Sequence, residues 1–229
     1  MSGVNNYKVK FISTLIIVLI SVSACATKPS TTSTEALINA SNKTLNTLKN
    51  RSDLDRFNSQ LRNAAGVAIF PSVYKAGFFV GAEGGNGILI KKKSDGNWGY
   101  PAFYTLASGS WGLQFGGQKS GVIFIISSPG AVEALLQNQG KLSAGMNVAI
   151  GNLGTGLEGG ITTNLGADII AYSDSKGLFS GVALKGSAMI RRNDLNTEYY
   201  GEQVEPEAII SQHAHQNPQA NILRNTLSR

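Results

Sequence analysis

At 229 residues, with 42 % hydrophobic and 15 % charged residues, the chain is long enough for one domain with a sizeable core and too apolar to be disordered. Glycine stands at 27 residues, about 12 % against a usual ~7 %, and without a Gly-X-Y period, which excludes collagen. The formal net charge is +6, and apart from Gly3 every glycine lies between Gly66 and Gly201.

Lys8 and Lys10 precede an uncharged apolar run, Phe11 to Val22, which is short for a membrane span and reads as a secretory signal. It ends at Val22-Ser23-Ala24-Cys25, which resembles the lipobox of bacterial lipoprotein precursors. Cys25 is the single cysteine of the chain and the expected lipidation site, with ordinary signal cleavage after Ala24 as the alternative. The resemblance implies an outer-membrane lipoprotein facing the periplasm, because Ala26 stands where an inner-membrane retention signal places Asp. Removing residues 1–24 takes away two lysines and no acids, lowering the net charge from +6 to +4, too little to argue for nucleic acid. An acylated Cys25 leaves no thiol for disulfides or metal ligation. Residues 25–35, rich in Ser and Thr, read as a tether.

From Thr34 to about Arg62 the apolar spacing is helical, through Leu37, Ala40, Leu45 and Leu48 and then Leu54, Phe57 and Leu61, with Ser52-Asp53 as a candidate N-cap between two helices. Lys43, Lys49, Arg51, Arg56 and Arg62 make this stretch basic, either as a surface for anionic lipid heads or as the solvated side of a helical pair packed on the core.

After Ala65 the period changes to two. Trp98 to Leu106, Trp111 to Phe115 and Leu178 to Ile190 alternate as strands, punctuated by turn signals at Asp95-Gly96, Ser108-Gly109 and Lys176-Gly177. Val122 to Ile126 is apolar throughout and reads as a central strand. One helix interrupts, capped by Ser128, with Pro129 in its first turn, Val132, Leu135 and Leu136 facing inward and Gly140 at its end. Beyond Gly201 a polar tail over 202–229 carries short helical runs near Pro206–Gln212 and Pro218–Leu227. Glycine within strands points to tight curvature or close backbone approach. The expected fold is α+β: a single β-rich domain of curved, mainly antiparallel, glycine-rich strands with flanking N-terminal and C-terminal helices.

The motifs that chemistry would need fail on context. Gly154-Thr-Gly156-Leu-Glu-Gly159 matches the dinucleotide fingerprint, but no helical period follows to present an N-terminus to pyrophosphate. The loop from Gly112 to Ser120 is one residue too long for a phosphate-binding loop and leads into a strand. The two histidines, His213 and His215, both lie in the polar tail, so a core catalytic triad has no imidazole, and no carboxylate cluster accompanies them for a metal. Asp168, among Ala167, Ile169 and Ile170, is a candidate buried acid with no partner at useful spacing. No catalytic residues, metal or cofactor are expected. Basic strand ends remain: Lys91, Lys92 and Lys93, and Arg191 with Arg192, which together would form a phosphate-attracting rim or simply mark ordinary strand ends.

Several stretches in order resemble the SYLF family of lipid-binding domains: Gly66-Val-Ala-Ile-Phe-Pro71, Lys75-Ala-Gly-Phe-Phe-Val-Gly81, Gly84-Gly-Asn-Gly-Ile-Leu89, Asp95-Gly-Asn-Trp-Gly-Tyr-Pro101, Gly112-Leu-Gln-Phe-Gly-Gly117 and Tyr172 to Gly186, closing at Asn196-Thr-Glu-Tyr-Tyr-Gly201. The likeness covers about 36–201. It implies a non-catalytic lipid-binding domain. Eukaryotic members are associated with phosphoinositides and some with actin, and bacterial members are often lipoproteins. A lipobox implies a bacterial envelope, where actin is not an expected partner. The expectation is therefore a lipid-anchored protein whose domain binds phospholipid through Lys91, Lys92, Lys93, Arg191 and Arg192. The alternative is an envelope scaffold that meets a protein partner and touches lipid only through Cys25.

Overall fold

The computed structural model describes residues 34–54, 56–77, 80–111, 118–138, 140–142, 147–151, 167–175 and 187–229. Cys25 and the tether before Thr34, the Gly112 loop, the Gly154–Gly159 motif and the Lys176-Gly177 turn lie outside these residues.

Helix α1 (Thr34–Lys49) buries Leu37, Ile38, Leu45 and Leu48, and α2 (Phe57–Asn63) buries Phe57 and Leu61. The N-cap expected at Ser52-Asp53 is not used. Helix α2 starts from Arg56 without a side-chain cap, and Asp53 instead pairs with Arg51 at 2.7 Å while Arg51 reaches the Asp174 carbonyl at 2.8 Å. A guanidinium two residues away offers the carboxylate a charge-assisted bond stronger than an amide N–H.

Among the described residues seven strands follow: β1 (Gly66–Gly77), β2 (Val80–Lys91), β3 (Ala102–Trp111), β4 (Gln118–Ile126), β5 (Val148–Ile150), β6 (Ile169–Ser173) and β7 (Ala188–Arg191). They form one sheet in the order β5-β6-β4-β1-β2-β3-β7, antiparallel except where β5 runs parallel to β6. The apolar run Val122–Ile126 is indeed interior, flanked by β1 and β6. Ser108-Gly109 is not a turn: both residues lie inside β3, paired with Glu83 and Ala82 of β2. The dipeptide suits a turn locally, but a long partner strand overrides that preference.

Both faces of the sheet are buried. Ala68, Phe70, Leu89, Tyr104, Leu106, Val122 and Phe124 pack with Val132, Leu135 and Leu136 of α3 (Pro129–Gln137). On the other face Val67, Ile69, Ile88, Phe103, Ile123 and Tyr172 pack under α1, α2 and α4 (Asn193–Tyr200). Helix α3 is built as expected, with Ser128 Oγ accepting the Ala131 N–H at 3.1 Å and Pro129 in the first turn.

The glycine excess has a local cause where β1 bulges between Phe70 and Val73. A Cβ on Gly85 would lie 2.0 Å from the Ser72 carbonyl oxygen, and one on Gly87 2.3 Å from Phe70 Cδ1. Only glycine lets β2 run this close over the bulge, and the bulge bends the sheet.

The chain after Gly201 belongs to the same body. Helix α5 (Pro206–Ile210) sends Ile209 and Ile210 into the α3 side of the core. A 3-10 turn (Pro218–Ala220) then leads into α6 (Asn221–Ser228), which sends Leu223 and Leu227 into the opposite side. The result is an α+β domain, one curled mixed sheet with helices before and after it.

Candidate functional site

Strand alternation sends neighbouring basic residues to opposite faces. Lys91 follows Leu89 to the α3 side, where its ammonium donates to Glu133 Oε1 at 2.5 Å and Ser211 Oγ donates to the same carboxylate at 2.9 and 3.0 Å. Burial works against the charged form of Glu133, yet the hydrogen bonds from Lys91 and Ser211 outweigh it and hold its pKa below the usual carboxylate value. Arg191, on the face of Met189, donates to the Leu136 carbonyl at 3.0 Å and pairs with Glu207, with Glu205 at 3.7 Å. Arg192 grips Asp194 at 2.6 and 2.8 Å and also donates to Asn86 Oδ1 at 2.8 Å. The five cations therefore do not gather into one rim. Lys91 and Arg191 share the α3–α5 side and are neutralised there, and Arg192 braces the β7 edge.

Lys92 points to the other face. Its ammonium donates to the Arg62 carbonyl at 2.8 Å and sits 4.9 Å from the Trp98 ring centre, while burial lowers its pKa. Lys93 beside it meets Asp95 at 3.2 Å across the Asp95-Gly96 turn. The Arg62 carbonyl belongs to the last turn of α2, and Lys49, in the last turn of α1, donates in the same manner to the Thr226 carbonyl near the end of α6 at 2.8 Å. Lysines satisfy helix C-terminal carbonyls and complement the negative end of the helix dipole. Three helix ends thus converge on a set of cations. Burial lowers the Lys49 pKa, and the charged groups that lower it further are Arg229 and Arg62, both cations. Arg56, Arg62 and Arg229 are exposed. This grouping was half visible in the sequence as basic residues along 43–62; the contribution of Lys92 and of the C-terminal helix was not, since both arrive through tertiary packing.

Elsewhere the described residues place little chemistry together. Among them, no group of three or more His, Cys, Asp or Glu is placed to hold a metal ion. Asp168 is half-buried rather than buried, and its Oδ2 accepts the Asn147 N–H at 2.8 Å at the entry to β5. His213 packs against Gly99, and His215 lies 3.1 Å from Glu202. Glu83 is buried opposite Ser108 of β3, and at the same end of the sheet Tyr74 is exposed, with the Lys119 ammonium 5.6 Å from its ring centre.

Residues 107–229 match the family model described as Ysc84, Las17-binding protein actin regulator. The chain belongs to the Ysc84 family. This is the SYLF-domain family whose motifs run from Gly66 to Gly201. SH3 domain-containing YSC84-like protein 1 of Rattus norvegicus is 35 % identical over 170 residues, 73 % of this chain and 49 % of the relative. The Homo sapiens protein of the same name is 38 % identical over 152 residues, 66 % of this chain and 44 % of the relative. LAS seventeen-binding protein 3 of Saccharomyces cerevisiae is 34 % identical over 155 residues, 66 % of this chain and 33 % of the relative. The chain spans about half, or less, of the length of these curated relatives. The name of the yeast relative refers to binding, and the family description to binding and actin regulation.

Proposed function

We propose that this Ysc84-family domain is a non-catalytic phospholipid-binding module, held on the periplasmic face of an outer membrane by an acylated Cys25 and drawn to anionic headgroups by its basic helix ends. The observation that carries this reading is the meeting of helix ends: Lys49 of α1 donates to the Thr226 carbonyl of α6 at 2.8 Å, and its charged neighbours there are Arg62 of α2 and Arg229 after α6. Lys92 joins them through the Arg62 carbonyl, and Arg56 and Arg62 are free to face a membrane surface. Cations near an anionic bilayer contribute about 1 kcal/mol each, so a handful suffices for a protein already tethered by lipid. Of the strand-end cations expected from the sequence, Lys92 remains in this role. Lys91, Lys93, Arg191 and Arg192 are paired with acids of the domain itself.

A second reading, an envelope scaffold that binds a protein partner, is favoured by the family description, which names a protein that is bound. Vesicle flotation of the Cys25→Ala chain tests the first reading. Capture by phosphatidylglycerol vesicles but not by phosphatidylcholine vesicles is the expected result. Equal failure with both, together with a stable lipid-free oligomer by native mass spectrometry, would favour the scaffold.

A further inference from the structure

The segment from Glu202 to Ser228 is a strap that passes around the sheet, with α5 on one face and α6 on the other. Its first half is held by charge: Glu205 and Glu207 on Arg191, and Ser211 on Glu133. Its second half is held by Asn217 donating to the Tyr199 carbonyl at 2.7 Å and by Arg224, which donates to the Trp98 carbonyl at 2.9 Å and stacks 4.2 Å from the Tyr100 ring centre. Between these anchors lies His213. It is the single non-glycine residue with positive φ, 52°, among the described residues. Its imidazole fills the space left by Gly99, where a Cβ would come within 3.1 Å of Nδ1. Nδ1 is buried and has no hydrogen-bond partner among the described residues.

The charged groups around the ring come from two other elements. Lys91 and Lys93 stand at the end of β2 with Asp95 in the following turn, and Glu133 stands on α3. Both acids are already engaged, Asp95 by Lys93 and the Asn97 N–H, and Glu133 by Lys91 and Ser211. Burial first, and then the two lysines, push the His213 pKa below its ordinary value, against the weaker opposite pull of Asp95 and Glu133.

We infer that His213 is an acid-sensitive pin for this strap: neutral, it seats against Gly99 and holds α5 and α6 on the sheet, and protonated, it loosens both. Protonation puts an N–H on Nδ1 where no acceptor waits, and adds a positive charge beside Lys91 and Lys93. The sign follows from linkage. The open strap binds the proton at about pH 6.5, the closed strap only at lower pH, so the closed form is fully favoured above that range and loses ground as pH falls through it. Release would also uncover Arg191, which pairs with Glu205 and Glu207 of the strap, and free the Ser211 side of the Lys91–Glu133 pair.

Hydrogen–deuterium exchange of the full chain between pH 7.5 and 5, corrected for intrinsic rates, reads the opening directly. Opening of peptides spanning 205–211 and 220–228 should rise by about threefold or more relative to β1 and β2 as pH falls. His213→Asn, which suits positive φ, and His213→Gln should both lose that extra rise, while His215→Asn keeps it. A wild-type strap that tracks the sheet at every pH would overturn the inference. So would a rise that survives in both His213 variants.

Discussion

Lys91 and Lys92 are adjacent in sequence and opposite in fate. Lys91 turns toward α3 and α5, where Glu133 receives it and where Glu205 and Glu207 receive Arg191. Lys92 turns toward the end of α2, where its bond is to the Arg62 carbonyl, and the charged neighbours of Lys49 at the end of α1 are again positive. A basic run read along a strand is therefore two half-runs. Each has to be weighed against the elements that cover its own face. On one side of the domain the cations meet acids, and on the other Lys49 has Arg62 and Arg229 as its charged neighbours. The difference shows that a local count of lysines and arginines measures the sum of the two faces, while the proposed binding depends on one.

This contrast can be broken by substitution. The largest expected effect is on the positive side: Arg56→Glu with Arg62→Glu removes two attractions and adds two repulsions, about 2–4 kcal/mol, so affinity for phosphatidylglycerol vesicles should fall at least about thirtyfold. Equilibrium vesicle titration checks it, and circular dichroism should show the fold intact. On the neutral side, Lys91→Ala with Arg191→Ala should leave vesicle affinity within about twofold and instead cost stability. Because the partner acids are partly exposed, the loss should be only about 1–2 kcal/mol, measured by urea unfolding. The smallest effect belongs to Lys92→Met. It keeps the apolar contact with Trp98 but leaves the Arg62 carbonyl to water, for about 0.5–1 kcal/mol of stability and a several-fold loss of vesicle affinity. If the neutral-side pair proved the stronger determinant of vesicle binding, the contrast would be reversed.

Much of the architecture was legible in the sequence where the deciding interaction is local. Ser128 and Pro129 opened their helix as expected because a cap needs only the next three residues. Val122–Ile126 read as a central strand because no polar residue interrupts it. The glycine excess read correctly as curvature, and the structure localises it to Gly85 and Gly87 over the β1 bulge. Where tertiary partners decide, local reading failed. Ser108-Gly109 carries a turn signature yet lies in β3, because β2 pairs with it on both sides of the dipeptide. Ser52-Asp53 carries a cap signature yet Asp53 is taken by Arg51, whose guanidinium is also held by the Asp174 carbonyl 123 residues away. The basic residues were visible, and period two would place Lys91 and Lys92 on opposite faces. The acids that silence Lys91 and Arg191 lie 14 to 42 residues away. No spacing in the sequence reveals that α3 and α5 bring them there.

The central claim, that an outward positive field binds the domain to anionic lipid, is tested most directly by the salt dependence of binding. The Cys25→Ala chain, titrated with phosphatidylglycerol-containing vesicles from low to high ionic strength, should lose affinity progressively as salt screens the exposed cations. Phosphatidylcholine vesicles should bind negligibly throughout. Affinity that is independent of salt, or equal for the two lipids, would contradict the account.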